Sequence, residues 1–389
     1  LDYTNAKSLQ IGQGSYVRTN DPLAANLQTN TQTTTSSDGI VTSDDAVNIT
    51  LSNGDLTLDR SVNVGTATVA LTTQAGGIAE QSAAIITANK LALSSQDNVT
   101  LDNTNQINVL AANVSGSGAD LKFTNGKSLL LDRVAVTPLS ADSSAVVTAG
   151  TTQQRDGVSV NDMTRLNLTA GDLTQSATAG QGRVTTANLK LTLATGQVAL
   201  NDTTNDIGTL AATLQASGKT LSVKDKNALQ VGTVDGSNGV QTNNGDITLE
   251  ASADAASTTG DLQLAQQVNA GTADVRLASG KGAINETTAS GIITANELKL
   301  VAVNTSTLDS SNAVDEVTAS ISGNGQGVRL TNNRSLVVGD LDDKSGITAP
   351  GEVRLTLAAG NGVARNLTQT QDIKAGGLNV ASDTGNVTL

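Results

Sequence analysis

Apolar residues along this 389-residue chain fall in short Φ-x-Φ pairs, such as Leu91/Leu93, Val99/Leu101, Ile107/Val109, Leu121/Phe123 and Leu129/Leu131. Alternation at period two, with Thr, Asn or Lys between, marks short strands with one buried face. The intervening stretches are rich in Gly, Asn, Asp and Ser, residues that reach the backbone conformations needed at tight corners. Equivalent pairs recur about 22 residues apart, from Val99 to Leu121 and from Ile107 to Leu129. Three short strands and three corners in that length make one coil of a parallel β-helix. The predicted fold is therefore all-β, a β-solenoid. With rungs ~4.8 Å apart, roughly 17 or 18 coils would give a rod about 80–85 Å long.

A longer period lies above this one. The phrase Leu1-Asp-Tyr-Thr-Asn-Ala-Lys-Ser-Leu9-Gln-Ile11 returns as Leu121-Lys-Phe-Thr-Asn-Gly-Lys-Ser-Leu129-Leu-Leu131, as Leu221-Ser-Val-Lys-Asp-Lys-Asn-Ala-Leu229-Gln-Val231, and as Val328-Arg-Leu-Thr-Asn-Asn-Arg-Ser-Leu336-Val-Val338. The starts are 120, 100 and 107 residues apart. A second phrase, Ile86-Thr-Ala-Asn-Lys-Leu91, recurs at Val184, Ile293 and, more loosely, Ile373. Four degenerate units follow: 1–120, 121–220, 221–327 and a truncated 328–389. From the second phrase to the next first phrase the spacing is nearly constant, at 43, 45 and 43 residues, equal to two coils. The other half varies widely, as surface loops or whole added coils do. The domain reading is one continuous solenoid, 1–389.

Composition removes most other classes. Helical solenoids need long runs with apolar residues at i, i+3, i+4 and i+7, which are missing here. A β-sandwich array would show longer strands and core aromatics. Only Tyr3, Tyr16 and Phe123 are aromatic, and there is no Cys, His or Trp. Histidine-based triads, zinc-thiolate sites and disulfide frameworks are thereby excluded. A narrow aliphatic column explains the scarcity of aromatics. The net charge of −13 opposes phosphate backbones, so nucleic acid is not an expected partner. No apolar run is long enough to span a membrane as a helix. The chain starts at Leu1 without a signal-peptide pattern, so a segment of a longer polypeptide is expected.

Several stretches carry a resemblance. Asn205-Asp-Ile-Gly-Thr-Leu-Ala-Ala212, the Ile-x-Thr-Ala-Asn phrases, Val231-Gly-Thr-Val-Asp-Gly-Ser-Asn-Gly-Val-Gln-Thr-Asn-Asn-Gly-Asp-Ile-Thr-Leu249 and Gly-Gly-Leu378-Asn-Val-Ala-Ser-Asp-Thr-Gly-Asn-Val-Thr-Leu389 resemble repeats of filamentous-haemagglutinin-type exoproteins. These are large Gram-negative surface adhesins, often exported by two-partner secretion. The resemblance covers essentially the whole chain. It implies a right-handed coil, an extracellular location on the bacterial surface, and roles in attachment, aggregation or biofilm. The family's secretion domain carries an NPNL-type motif, and no Asn-Pro dipeptide occurs here. The family assigns no catalytic residues to its repeats.

Candidate chemistry is sparse. Because β-helices also serve polysaccharide enzymes, the acidic groups Asp44/Asp45, Asp315/Glu316 and Asp340/Asp342/Asp343 were weighed as carboxylate pairs. Without aromatic platforms for sugar rings, they read as solvated turn carboxylates. The same turns could offer oxygen ligands to Ca²⁺, but Gly323-Asn-Gly-Gln-Gly327 lacks the Asp of a calcium-binding nonapeptide. The Asn-x-Ser/Thr triplets at Asn48, Asn98, Asn113, Asn201 and Asn366 read first as corner asparagines and second as glycosylation sites. The variable stretches from Gly12 to Asp45, from Pro138 to Gly157 and from Asn304 to Ser320 are the expected contact loops. No catalytic, cofactor-binding or metal-binding residue is assigned and no cofactor is expected. The function expected is that of a non-enzymatic adhesin or fibre segment contacting surface glycans, proteins or exopolysaccharide. The alternatives are a self-assembling matrix or sheath filament and, third, a β-helical polysaccharide-processing enzyme.

Overall fold

In the computed structural model, residues 1–389 are described except 19–32, 83, 137–152, 257, 259 and 359–362. No helix occurs among the described residues. One sheet of 33 strands, parallel throughout its paired registers, coils as a β-solenoid of about 14 turns spaced roughly 23 residues apart. Val99 sits on Leu121, and Val198 on Leu221, as the short period predicts. The turns are fewer than 17 or 18 because some of the chain leaves the coil. Leu9 pairs with Leu56, and Leu121 with Thr164, across long excursions. At ~4.8 Å per rung the stack is about 65 Å long.

The interior is an aliphatic column. Leu56, Ile78, Val99 and Leu121 stack on successive rungs and are 1% exposed or less. Nearly all the buried apolar residues join this single cluster, and Phe123 is its only aromatic. Truncating one such Leu to Ala costs about 2–5 kcal/mol, the spread reflecting how far neighbours collapse into the gap.

Corners are stitched by short polar side chains. Asp55 Oδ1 accepts from the Gly77 backbone N–H at 2.8 Å, Asn98 Oδ1 from that of Asp120 at 2.9 Å, and Asn366 Oδ1 from that of Asn386 at 2.9 Å. Each oxygen thus satisfies an N–H on the following coil, where chain curvature breaks the ladder. The abundance of Asn and Asp follows from this requirement.

Candidate functional site

Among the described residues, four antiparallel hairpins depart from the coil, each directly after the first repeated phrase. They pair Gln13–Arg18 with Thr33–Asp38, Val134–Val136 with Gln153–Arg155, Thr233–Val234 with Ser237–Asn238, and Asp340–Leu341 with Lys344–Ser345. Chain re-entry needs glycine. Gly39, Gly157, Gly239 and Gly346 precede the first residue back in the coil, and their φ angles are 81°, 55°, 71° and 66°. A Cβ at any of them would also strike a carbonyl oxygen of the next coil, those of Ser61, Arg183, Gln267 and Asp372. Both effects exclude other residues.

The strands before and after the second, third and fourth hairpins lie side by side on one straight strand of the preceding coil. Leu131 and Val158 sit on Leu110 and Ala112; Val231 and Val240 on Leu210 and Ala212; Val338 and Ile347 on Val317 and Ala319. These supporting strands belong to two ladders: that of Leu110 continues through Leu129–Leu131, Leu173–Gln175, Val198–Leu200 and Leu221–Lys224 to that of Val317, while that of Leu210 runs back through Thr164 to Leu121. Leu110 continues Val69 and Leu91; Leu210 continues Thr164 and Leu189; Val317 continues Val275 and Leu298. Successive units therefore send their hairpins out over alternating ladders of the solenoid, the second and fourth over one and the third over another.

The second, third and fourth hairpins fold back over the coils before them. On the second, Val134 joins Ala70, Ala92 and Ala111 in a small apolar cluster outside the main core, with Val136 packed against it. Those alanines occupy successive rungs. Arg155 Nη2 donates to Thr72 Oγ1 at 3.0 Å, and Arg133 pairs with Asp156 at the hairpin base. The third and fourth hairpins dock by charge. Asp235, at the third tip, accepts from Arg165 at 2.9 Å and Lys190 at 3.2 Å. Asp342, at the fourth tip, accepts from Arg276 at 2.8 Å and Lys299 at 3.2 Å, while Asp343 also meets Lys299. Arg165 and Lys190 share one rung pair, as do Arg276 and Lys299. Hydrogen bonds from Arg165 and then Lys190 hold Asp235 below the usual carboxylate range, and that from Arg276 does the same for Asp342. Lys299 and Lys344 lower Asp343 to about 2.

The acidic groups named from the sequence fall in these and similar structural places. Asp44 Oδ1 accepts from the Thr66 backbone N–H at 2.7 Å, while Asp45 is exposed. Asp315 pairs with Arg334 at 3.2 Å, and Glu316 Oε1 accepts from the Asp340 N–H at 2.8 Å. Among the described residues, no group of three or more acidic side chains is placed to hold a metal ion. Asn98 and Asn366 serve the corner ladder, and Asn201 Oδ1 accepts from Ser222 Oγ at 2.6 Å. Asn48 is buried and Asn113 exposed.

The expected contact loops need one correction. The stretches from Gly12 to Asp45 and from Pro138 to Gly157 hold parts of the first two hairpins, with 19–32 and 137–152 outside the described residues. The stretch from Asn304 to Ser320 is no loop. It forms most of the strand Ser306–Ile321, which runs along the coil with Leu308, Val314 and Val317 buried. Ser306 and Asn312 point inward too, and these polar residues hide the apolar alternation, while Thr318 faces outward and is buried where its Oγ1 donates to Gly346 C=O at the fourth hairpin. Conversely, the third and fourth hairpins were not singled out. Their signal lay in Val231-Gly-Thr-Val-Asp-Gly and Val338-Gly-Asp-Leu-Asp-Asp, where turn residues directly follow a strand.

A further group of functional-looking polar residues lies inside the solenoid. Ile40, Val62 and Ile86 stack on three rungs, and the Ile86 N–H then donates to the side chain of Asn105 at 2.7 Å instead of to another strand. Val184 and Ile293 end equivalent columns on Asn205 and Asn312, each at 2.7 Å. One rung further, Asn125 Oδ1 accepts from Ile107 N–H at 2.9 Å while its Nδ2 donates to Ile107 C=O at 2.9 Å. Asn332 treats Val314 the same way. A carboxamide thus replaces a peptide group where a column stops, leaving no orphaned backbone. All these asparagines have 0% exposure.

Compared with known protein families, curated proteins and solved structures, the chain matches none.

Proposed function

We propose that this chain is a non-enzymatic segment of an extracellular bacterial fibre, a rod whose hairpins mediate attachment, aggregation or biofilm formation. The supporting observation is the placement of the hairpins. They occupy one equivalent position in every unit, differ in length, and, from the second to the fourth, alternate between two ladders of a uniform scaffold. Variable segments on a rigid frame are where recognition concentrates. Repeating them along and around a rod adds weak contacts into avidity. The resemblance to filamentous-haemagglutinin-type repeats supports the same reading, with surface glycans, proteins or exopolysaccharide as partners.

The test replaces each longer hairpin, residues 12–39 and 132–157, with the short one at 339–346, keeping the closing glycine. Binding of rods to bacterial cells, host cells and a glycan array should fall while the circular dichroism of the solenoid stays unchanged. Equal binding by the trimmed rods would sink the proposal. Loss of side-by-side association alone, seen by electron microscopy, would instead assign the hairpins to a self-assembling sheath filament.

A further inference from the structure

The three buried amide stacks differ from one another in one informative way. Each has three members on successive coils: Glu80, Asn105 and Asn125 in the first; Gln175, Asn205 and Asp225 in the second; Glu286, Asn312 and Asn332 in the third. Every stack contains one carboxyl and two carboxamides, but the carboxyl changes place. It comes first in the outer two stacks and last in the middle one.

The middle stack shows what the first place requires. Gln175 Nε2 donates to Gly182 C=O at 2.9 Å and to Asn205 Oδ1 at 2.6 Å, and its Oε1 accepts from the Asp202 N–H at 2.9 Å. Both ends of this carboxamide are satisfied, one as donor and one as acceptor. Glu80 fills the same place with 7% exposure. Its Oε2 accepts from the Asn103 N–H and from Asn105 Nδ2, each at 3.2 Å. Its Oε1 is buried without a hydrogen-bond partner, and so is Oε1 of Glu286, whose other oxygen accepts from the Ser310 N–H at 2.5 Å. An acid O–H on the unpartnered oxygen restores the donor that Gln175 has there. An ionised carboxylate would instead be a buried charge with half its acceptor capacity unused.

The last place gives the same result. Asp225 has 0% exposure and stands where Asn125 and Asn332 stand. It accepts from the Ile207 N–H at 2.6 Å and the Asn227 N–H at 2.9 Å. It lacks the amide donor that Asn125 directs to the Ile107 and Lys127 carbonyls.

We infer that Glu80, Asp225 and Glu286 are proton-holding sites, one per stack, and that the solenoid firms as they take up protons and loosens as they lose them. The charged groups that face them oppose ionisation or are already engaged. Glu80 faces Asp102, and Glu286 faces Asp309. Asp225 faces Asp206 and Lys226, which pair with each other at 2.6 Å. Burial pushes Glu80 up to about 8 and Asp225 to about 7, and raises Glu286. For an acid raised in the folded state, the unfolded chain gives up its proton first as pH rises. Stability is therefore fully present below the ordinary carboxylate range, declines from there to about pH 8, and levels off above it.

The test is thermal unfolding of the 389-residue chain across pH, for the native protein and for E80Q, D225N, E286Q and their combination. The native Tm should fall by roughly 5 °C or more between about pH 5 and about pH 9. The triple variant should lose most of that slope and be the more stable protein at the alkaline end. D45N, which changes an exposed acid, should leave the slope as it is. A triple variant with the native slope would overturn the inference. If that variant fails to fold, infrared difference spectra of the single variants decide. Each should remove part of a protonated-carboxyl C=O band present at neutral pH, and the absence of any such band in the native protein would also overturn the inference.

Discussion

The second hairpin and the fourth solve one problem with opposite chemistry. Both must lie against the outer face of the coils before them. Beneath the second are Ala70, Ala92 and Ala111, small enough to let Val134 reach the sheet and be fully buried. Beneath the fourth are Arg276 and Lys299, long enough to meet Asp342 and Asp343 at the tip. The first contact excludes water and is indifferent to salt. The second is half exposed, directional and screened. A coil face therefore does not dictate how an excursion docks. Face and hairpin tip match as a pair, and the third hairpin, with Arg165, Lys190 and Asp235, follows the charged solution.

The contrast can be broken from the apolar side first. Ala92→Leu forces a longer side chain between the sheet and Val134, which should cost on the order of 1–3 kcal/mol and release the second hairpin. Hydrogen exchange at residues 134–136 and 153–155 reads this directly, and the fourth hairpin should keep its protection. Protection retained at the second would show that the alanine face is not its seat. Next in size is Arg276→Ala, which leaves Asp246, Asp274 and Asp342 facing one another. After allowance for solvent screening, about 1 kcal/mol should be lost from fourth-hairpin docking. Arg276→Lys should recover only part of it, because the two-pronged contact to Asp342 needs a guanidinium.

Two solution conditions sharpen the comparison with smaller effects. Raising salt to about 1 M should speed exchange at the tips of the third and fourth hairpins more than at Val134–Val136 of the second, whose seat is apolar and whose ion pair, Arg133–Asp156, lies at the base. Acid should separate them as well. Asp235, Asp342 and Asp343 are depressed carboxyls, so their contribution is present above the ordinary carboxylate range and disappears as pH falls through their lowered values, about 2 for Asp343. The charged hairpins should therefore unlatch in strong acid, while the interior stacks with Glu80 and Asp225 are then at their firmest. Simultaneous melting of hairpins and column in acid would refute that division.

Much of the scaffold could be read from the chain. Period-two pairs gave strands, the short spacing gave coils, and Val99 does sit on Leu121. Reading failed where polar residues turn inward. Ser306 and Asn312 made a coil strand look like a loop, because apolar residues alone do not complete its alternation. The asparagine of the first phrase was in view at Asn125 and Asn332, yet nothing local says that its carboxamide closes a column. That role depends on Ile107 and Val314, 18 residues away and brought alongside only by the coil.

The sequence by itself determined the strands, the corners and the aliphatic column, because all three depend on residues adjacent in the chain or one coil apart. It also set where excursions leave and return, through the first phrase and glycines such as Gly239 and Gly346. Tertiary structure alone decided which columns the hairpins cover, what each tip touches, and where a column ends on a side chain. Arg276 and Asp342 are 66 residues apart, and Arg155 reaches Thr72 across 83. Such pairs are fixed by the accumulated register of several coils and hairpins. No local pattern encodes that sum.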